Sequence, residues 1–396
     1  QEDNVGRPVI LEAVRTAGGK FGGSLRPLSA VDLGAVVIRS AVERSGVEPA
    51  DVAEVIMGNG WQAGVGPNPA RIAVWKSEVI ADAPAFTVNI RCGSALKAIM
   101  LLADRIRLGD IKMGIAGGME STSNVPYLLP DARWGHTMGE KKTPDVLHRD
   151  GFFCPLAEMM MGDTAEILAG EYDISRSEQE TYAVESHRRA VKAIDSGFFS
   201  DEIVPVTVPQ KKEDIVFSTD EIPRRNTGPE KLAKLPPVFR KDGTVTAGTS
   251  SALCDAASAL LIADEEWALG MGYKPLAEIT GYATATVPPD HMGLGPVAST
   301  PPALERANVS LQDIDYIELN EAFAVQVIAV QRHMGISPAT CNVNGGAIAL
   351  GHPIGATGAK LLTTLTHLLQ RERKELGLVT ACVGGGQGVS MVIRSR

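Results

Sequence analysis

The sequence predicts an α/β fold made of two related halves, with a long insertion in the first. Three observations predict it: strand-like and helix-like runs alternate, one stretch aligns without a gap against another far downstream, and the texture of the chain changes between them. AVERSGVEPADVAEVI, residues 41–56, aligns with ALERANVSLQDIDYIE, residues 303–318. Each reads as a helix end, a turn and a strand, and repetition at this scale marks a duplicated architecture.

The order of elements recurs around these stretches. In the first half DLGAVVIRSAVERSG has helical periodicity, AEVIMGN reads as a strand, FTVN as a short strand, CGSALKAIMLLADRIRLG as a helix and KMGIAGGM as a strand. In the second, IDYIELN is a strand, EAFAVQVIAVQRHMG a helix, CNVN a short strand, GATGAKLLTTLTHLLQ a helix and GLVTACVGGG a strand. Strands alternating with helices imply predominantly parallel sheets covered on both faces. Gly109 and Lys374 fall near the matching helix ends.

Between the halves, proline, charge and irregular spacing dominate, as in KKTPDVLHRD and QKKEDIVFSTDEIPRRNTGPEKLAKLPP. SRSEQETYAVESHRRAVKAIDSG is the exception: Ser175 and Glu178 have capping-box spacing and Gly197 can end the helix. A segment too long for a plain loop shapes either a binding site or a contact between copies. The expected division is 1–119 for the first part of the N-terminal half, 120–246 for the insertion, 247–274 for the return to that half and 275–396 for the C-terminal half.

At 396 residues, 44% hydrophobic and 21% charged, the chain has the composition of a soluble globular protein. A net charge of −9 gives no broad attraction to nucleic acid or an anionic membrane, so an anionic ligand requires a local basic patch. No apolar run reaches membrane-spanning length and no basic-then-apolar leader is present, so the expected location is cytoplasmic. Five widely spaced cysteines suit neither a disulfide framework nor a CxxC metal site.

The chemistry-bearing residues lie where strands give way to helices or turns, the places where ligands collect in α/β sheets. Cys92 in FTVNIRCGSALKAIM stands at such a junction, where a helix N-terminus favours thiolate over thiol. The matching junction in the second half, NVNGGAIALGHPIGATGAK, carries His352. Cys382 ends a strand before three glycines in TACVGGGQG, and Asn320 supplies an amide at the switch in LNEAFA. Taken singly, these are a packed thiol, a turn histidine, a core cysteine and a helix cap. At corresponding positions in two related halves, they could converge where the halves meet. A nucleophilic sulfur with a histidine to take its proton forms a covalent acyl enzyme, and a second thiol can then act as acid or base. That combination suits carbon transfer rather than simple hydrolysis.

From VILEAVRTAGGKFGGSL through NIRCGSALKA, GGMES, KDGTVTAGTSSALCDAASA, NEAFA and NVNGGAIALGHPIGATGA to CVGGGQG, the chain resembles the thiolases, acyl-CoA C-acyltransferases that make or break β-ketoacyl-CoA. The resemblance implies a five-layered α-β-α-β-α fold of two duplicated halves with an inserted loop domain, assembled as a homo-oligomer, dimer or tetramer. It makes Cys92 the acylated nucleophile, His352 its activator and Cys382 the acid/base for the α-carbon. Asn320 resembles the holder of a water that forms one oxyanion hole with His352; the N–H groups of Cys92 and Gly384 match the other. Ser251 and Arg224 resemble pantetheine and adenine contacts, and Met161, Ala322 and Phe323 resemble residues lining the acyl and pantetheine tunnel. Coenzyme A and acyl-CoA enter as substrates, and no separate cofactor or metal is implied.

Two stretches depart from the family's usual pattern. ALCDAA stands where many members have an amide and glycine pair, and Met160 stands where many short-chain members have histidine, making the acyl side of the pocket more apolar. Two rival readings are a decarboxylating ketoacyl synthase, which resembles a cysteine with two histidines, and a non-catalytic acyl-CoA or lipid carrier on a thiolase-like scaffold. Asn320 and Cys382 argue against the first; intact Cys92, His352 and Cys382 argue against the second.

Overall fold

A computed structural model describes residues 5–396. The first half runs β1 (Pro8–Thr16), α1 (Ala30–Ser45), β2 (Val55–Gly58), α2 (Pro69–Ser77), β3 (Ala85–Val88), α3 (Ser94–Arg107) and β4 (Met113–Ser121). The chain then leaves the sheet for a segment containing α4 (Met161–Glu171) and α5 (Arg176–Asp195), and returns as β5 (Cys254–Asp264). The second half runs β6 (Ala277–Thr286), α6 (Gly295–Ala307), β7 (Tyr316–Leu319), α7 (Ala324–Met334), α8 (Thr357–Glu372), β8 (Leu376–Val383) and β9 (Gln387–Ser395).

The strands lie in the order β7-β8-β9-β6-β1-β5-β4-β2-β3. Only two residue pairs, Val9 with Glu278 and Ile10 with Ala277, join β1 to β6, so this is two sheets touching along one edge. Read outward from that edge, the halves repeat: β1, β5, β4, β2 in one and β6, β9, β8, β7 in the other. Helices α3 and α8 pack against each other between the sheets, in a core holding Leu96, Ile99, Leu362 and Leu365. A second core lies between the first sheet and α1 with α2, and a third between the second sheet and α6 with α7. The result is five layers, helix–sheet–helix–sheet–helix.

The predominantly parallel sheets expected from the sequence are not what forms. Only the outer pairs β2·β3, β2·β4 and β7·β8, with a short edge contact on β1, are parallel; β1·β5, β4·β5, β8·β9 and β6·β9 are antiparallel. The reason is a hairpin. In the second half β8 turns directly into β9 through Gly385 and Gly386, both at positive φ. In the first half the same antiparallel pair, β4 and β5, is split by the inserted segment, which hides the hairpin from a reader of the sequence. CNVN is likewise not a strand: Cys341 makes one isolated bridge to Ile317. The left-handed residue that ends α8 is Arg373, next to Lys374. Ser175 and Glu178 form both hydrogen bonds of the expected capping box on α5, and Gly197 beyond its end has φ 69°.

Candidate active site

The site is built from four loops. Cys92 sits in a single helical turn, Arg91–Gly93, between β3 and α3. The residue before it, Arg91, is held at φ 56°, a conformation that costs a non-glycine residue energy and that gathers at functional sites. Its side chain is fixed by a hydrogen bond to the Gly60 carbonyl and by stacking over Trp61.

His352 reaches Cys92 from the other half. Its Nε2 lies 3.2 Å from Cys92 Sγ and its Nδ1 lies 2.7 Å from Thr357 Oγ1. The Thr357 hydroxyl donates to the Pro353 carbonyl at 3.0 Å, so its oxygen is left to accept from Nδ1–H. That arrangement fixes the tautomer with Nε2 bare, ready to take the cysteine proton. The loop is anchored as well: His352 N–H donates to the Ala252 carbonyl, and buried Lys360 on α8 donates to the carbonyls of Leu350 and Gly351.

Burial, aided by the positive charges of Lys360 and Arg91, lowers the His352 pKa to about 3, so the imidazole is neutral at physiological pH. Cys92 departs from the expectation that its helix N-terminus makes it a resting thiolate. Burial pushes the thiol pKa up, outweighing Arg91 and the N–H groups of Gly384 and Cys92 aimed at the sulfur. At rest the pair is therefore a thiol beside a neutral imidazole whose bare Nε2 faces it.

Cys382, at the end of β8, is buried two residues before Gly384. Burial first, and then the Cys92 sulfur, push its pKa up strongly, so it holds its proton until a stronger base appears beside it. Asn320 is fully buried; its amide biases Cys382 toward the anion, yet neither of its polar side-chain atoms completes a hydrogen bond. A buried amide left open in this way is costly unless a ligand or water uses it.

A cavity of about 880 Å³ opens onto His352. Met160, Met161, Phe323, Ser251 and Arg224 all line it, together with Phe152, Phe239 and Ile354. Ala322 does not: its carbonyl accepts from Ser251 N–H, which places it in the wall behind the lining. Met161 packs over Gly384, where an added Cβ would come within 2.7 Å of its methyl carbon. Arg224 stands at the mouth, where a second recess lined by Arg224, Arg225, Thr227 and Lys231 continues outward. Arg225 is paired with Asp195 through both carboxylate oxygens, whereas the Arg224 guanidinium has no partner among the described residues.

Several residues that hold this geometry escaped the sequence reading. Thr357 orients the histidine. Glu321, buried next to Asn320, accepts from Tyr182, Ser186, Asn342 and the Ile348 N–H, and so ties the NEAFA and GGAIALGH loops to α5. The quoted motifs contained both residues, but nothing local distinguishes a strut from its neighbours.

The buried neutral histidine makes a stability prediction. Its folded pKa near 3 lies below the ordinary 6.5, so the unfolded chain binds a proton between these values that the folded chain does not. Stability is full above pH 6.5 and is lost as pH falls toward 3, at about 1.4 kcal/mol per pH unit in this window. Between pH 6.5 and 4.5, His352→Asn should therefore lose about 2–3 kcal/mol less unfolding free energy than the parent, measured by urea denaturation at each pH. Equal losses would contradict the neutral, buried imidazole.

Comparison with known proteins agrees over the whole chain. Residues 8–266 match the thiolase N-terminal domain and residues 273–395 the thiolase C-terminal domain. The acetyl-CoA acetyltransferase of Escherichia coli is 52% identical over 97% of this chain and 98% of its own length. A probable acetyl-CoA acyltransferase of Staphylococcus aureus is 46% identical, covering 98% of each chain. The crystal structure of the Bacillus anthracis acetyl-CoA acetyltransferase superposes with a TM-score of 0.98 at 42% identity, covering both chains completely. Shared in sequence along both halves and in the course of the backbone throughout, this chain belongs to the thiolase family of acyltransferases.

Proposed function

We propose that this thiolase acts as an acetyl-CoA acetyltransferase, cleaving acetoacetyl-CoA with coenzyme A and running the reverse condensation of two acetyl-CoA. The carrying observation is the contact of Cys92 Sγ with His352 Nε2 at 3.2 Å, with the Gly384 N–H aimed at the same sulfur. In cleavage, Cys92 passes its proton to His352 and its sulfur bonds to the keto carbon. The bond between the keto carbon and the α-carbon then breaks, and the electron pair left on the α-carbon takes a proton from Cys382. Coenzyme A replaces the departed acetyl-CoA, gives its thiol proton to the Cys382 thiolate, and its sulfur takes the acyl group from Cys92, whose released sulfur takes its proton back from His352. The N–H groups of Cys92 and Gly384, which point at the resting sulfur, are the donors this reading assigns to the carbonyl oxygen of the acyl group; one such donor contributes on the order of 10²–10³ in rate. Asn320, with its unpartnered amide beside Cys382, serves the oxygen of the enolate. The names of the relatives support acetyl transfer, and the thioether and aromatic walls leave room for longer acyl chains.

Incubation with acetyl-CoA followed by intact-mass measurement tests the reading directly. An acetyl adduct on Cys92, together with CoA-dependent loss of acetoacetyl-CoA, is the expected result. No adduct would favour a carrier, and CO₂ release from a malonyl thioester would favour a decarboxylating synthase.

Arg224 supports binding of the anionic end of coenzyme A in the mouth recess. Arg224→Ala should raise KM for coenzyme A about tenfold, the equivalent of one charge-assisted hydrogen bond, with kcat within twofold of the parent. Tyr127, Leu129, Trp134 and Met138 crowd one exposed stretch of the inserted segment, which suits a homo-oligomer; light scattering on the purified protein reads its size. No helix among the described residues is long and apolar enough to cross a membrane.

A further inference from the structure

GGMES has so far had no task. Its Glu120 is the last residue but one of β4, is 1% exposed, and takes four hydrogen bonds. Oε1 accepts from Asn59 Nδ2 at 2.7 Å and Trp61 N–H at 3.3 Å; Oε2 accepts from Gly60 N–H and Gly355 N–H, each at 2.8 Å. Gly355 belongs to the loop between His352 and Thr357, so this carboxylate joins the two halves of the protein. On the first-half side the chain it grips leads straight to the sulfur: the Gly60 carbonyl accepts from Asn89 and Arg91, and Arg91 stacks on Trp61 immediately before Cys92.

Glycines make so close an approach possible. A Cβ on Gly355 would lie 2.6 Å from Asn59 Cα and 2.8 Å from Glu120 Oε2; one on Gly60 would lie 2.7 Å from the same oxygen. Cβ atoms on Gly58 and Gly118 would meet the Gly355 carbonyl at 2.4 and 2.1 Å. The loop that presents the base therefore lies directly on the ends of β2 and β4.

We propose that Glu120 is a positioning residue that sets the Cys92–His352 distance by clamping the Asn59–Trp61 turn and the His352 loop to a single carboxylate. It touches no reacting atom. Burial does most to hold the Cys92 proton and the Glu120 carboxylate adds a smaller push in the same direction, while burial raises the pKa of Glu120 itself to about 7 against its backbone donors. The inference rests on the acyl-cysteine reading, and the experiment separates the two.

The test compares parent and Glu120→Gln in three measurements: kcat and KM for acetoacetyl-CoA cleavage, the pH profile of Cys92 alkylation by iodoacetamide read by mass, and thermal unfolding. The amide can accept at one oxygen only and turns an NH₂ group toward backbone donors. Expected are a fall in kcat of about 10²-fold, a loss that a shift of about 1 Å in a reacting pair can produce, KM within threefold, and an alkylation profile displaced to lower pH. Glu120→Asp, which keeps the charge and loses the reach, should lose kcat with the profile in place. The proposal is overturned by Glu120→Gln with kcat within threefold of the parent, or by a loss of kcat that only follows the unfolded fraction while the alkylation profile stays put. Should neither Glu120 variant fold, Asn59→Leu removes one of the four donors without a change in charge: about a tenfold fall in kcat at constant KM supports the clamp, and unchanged kcat overturns it. If the parent forms no acetyl adduct on Cys92, it is the functional reading that fails.

Discussion

Cys92→Ala is expected to abolish both directions of the reaction, with kcat lower by on the order of 10⁴-fold or more, the scale of losses when a covalent nucleophile is removed. The side chain is only partly buried and its loop is held by Arg91, Trp61 and the bond from Ile90 N–H to Ser94 Oγ. None of these contacts uses the sulfur, so the variant should keep the parent's unfolding temperature within a few degrees. Its diagnostic failure is in mass: acetyl-CoA leaves no adduct. A variant that still gains an acetyl group at comparable rate would move the nucleophile elsewhere and with it the role of His352.

Cys382→Ala should separate the two half-reactions. Cys92 and His352 remain in place, so acetyl transfer from acetyl-CoA to Cys92 should continue within about tenfold of the parent. Cleavage and condensation need a proton at the α-carbon, and should fall by roughly 10²–10⁴-fold, the usual contribution of one positioned acid or base. The thiol of Cys382 is suited to that task because burial and the neighbouring Cys92 sulfur hold its proton tightly, making its thiolate a strong base when it forms. Intact mass for the first step and loss of acetoacetyl-CoA absorbance for the second read the two rates. Equal loss in both would assign Cys382 to packing around Cys92 rather than to proton transfer.

The sequence showed what repeats and what is chemically unusual. The alignment of residues 41–56 with 303–318 is realised as α1 and α6 ending at left-handed Gly46 and Asn308, each followed by a short helical turn and a parallel strand. Cys92 and His352 were visible because each stands shortly before a long helix, α3 or α8, at matching places in the two halves. Sheet polarity was not visible, because the partner of β4 lies beyond the inserted segment, with Ser121 paired to Asp255, a pairing no local pattern announces. Protonation states were hidden for a different reason: a helix N-terminus is a local feature, whereas the burial that overrides it at Cys92 is a property of the assembled molecule. Thr357, Glu321 and Glu120 act through hydrogen bonds to groups distant in the chain, and such partners appear only when the loops meet.

The contact of the His352 loop with the ends of β2 and β4 bears on how the protein comes into being. Synthesis delivers the sulfur long before the imidazole that stands 3.2 Å from it in the folded protein. On the proposed reading, a fragment ending before the His352 loop would carry the thiol without its base, and an acetyl adduct on such a fragment would count against that reading.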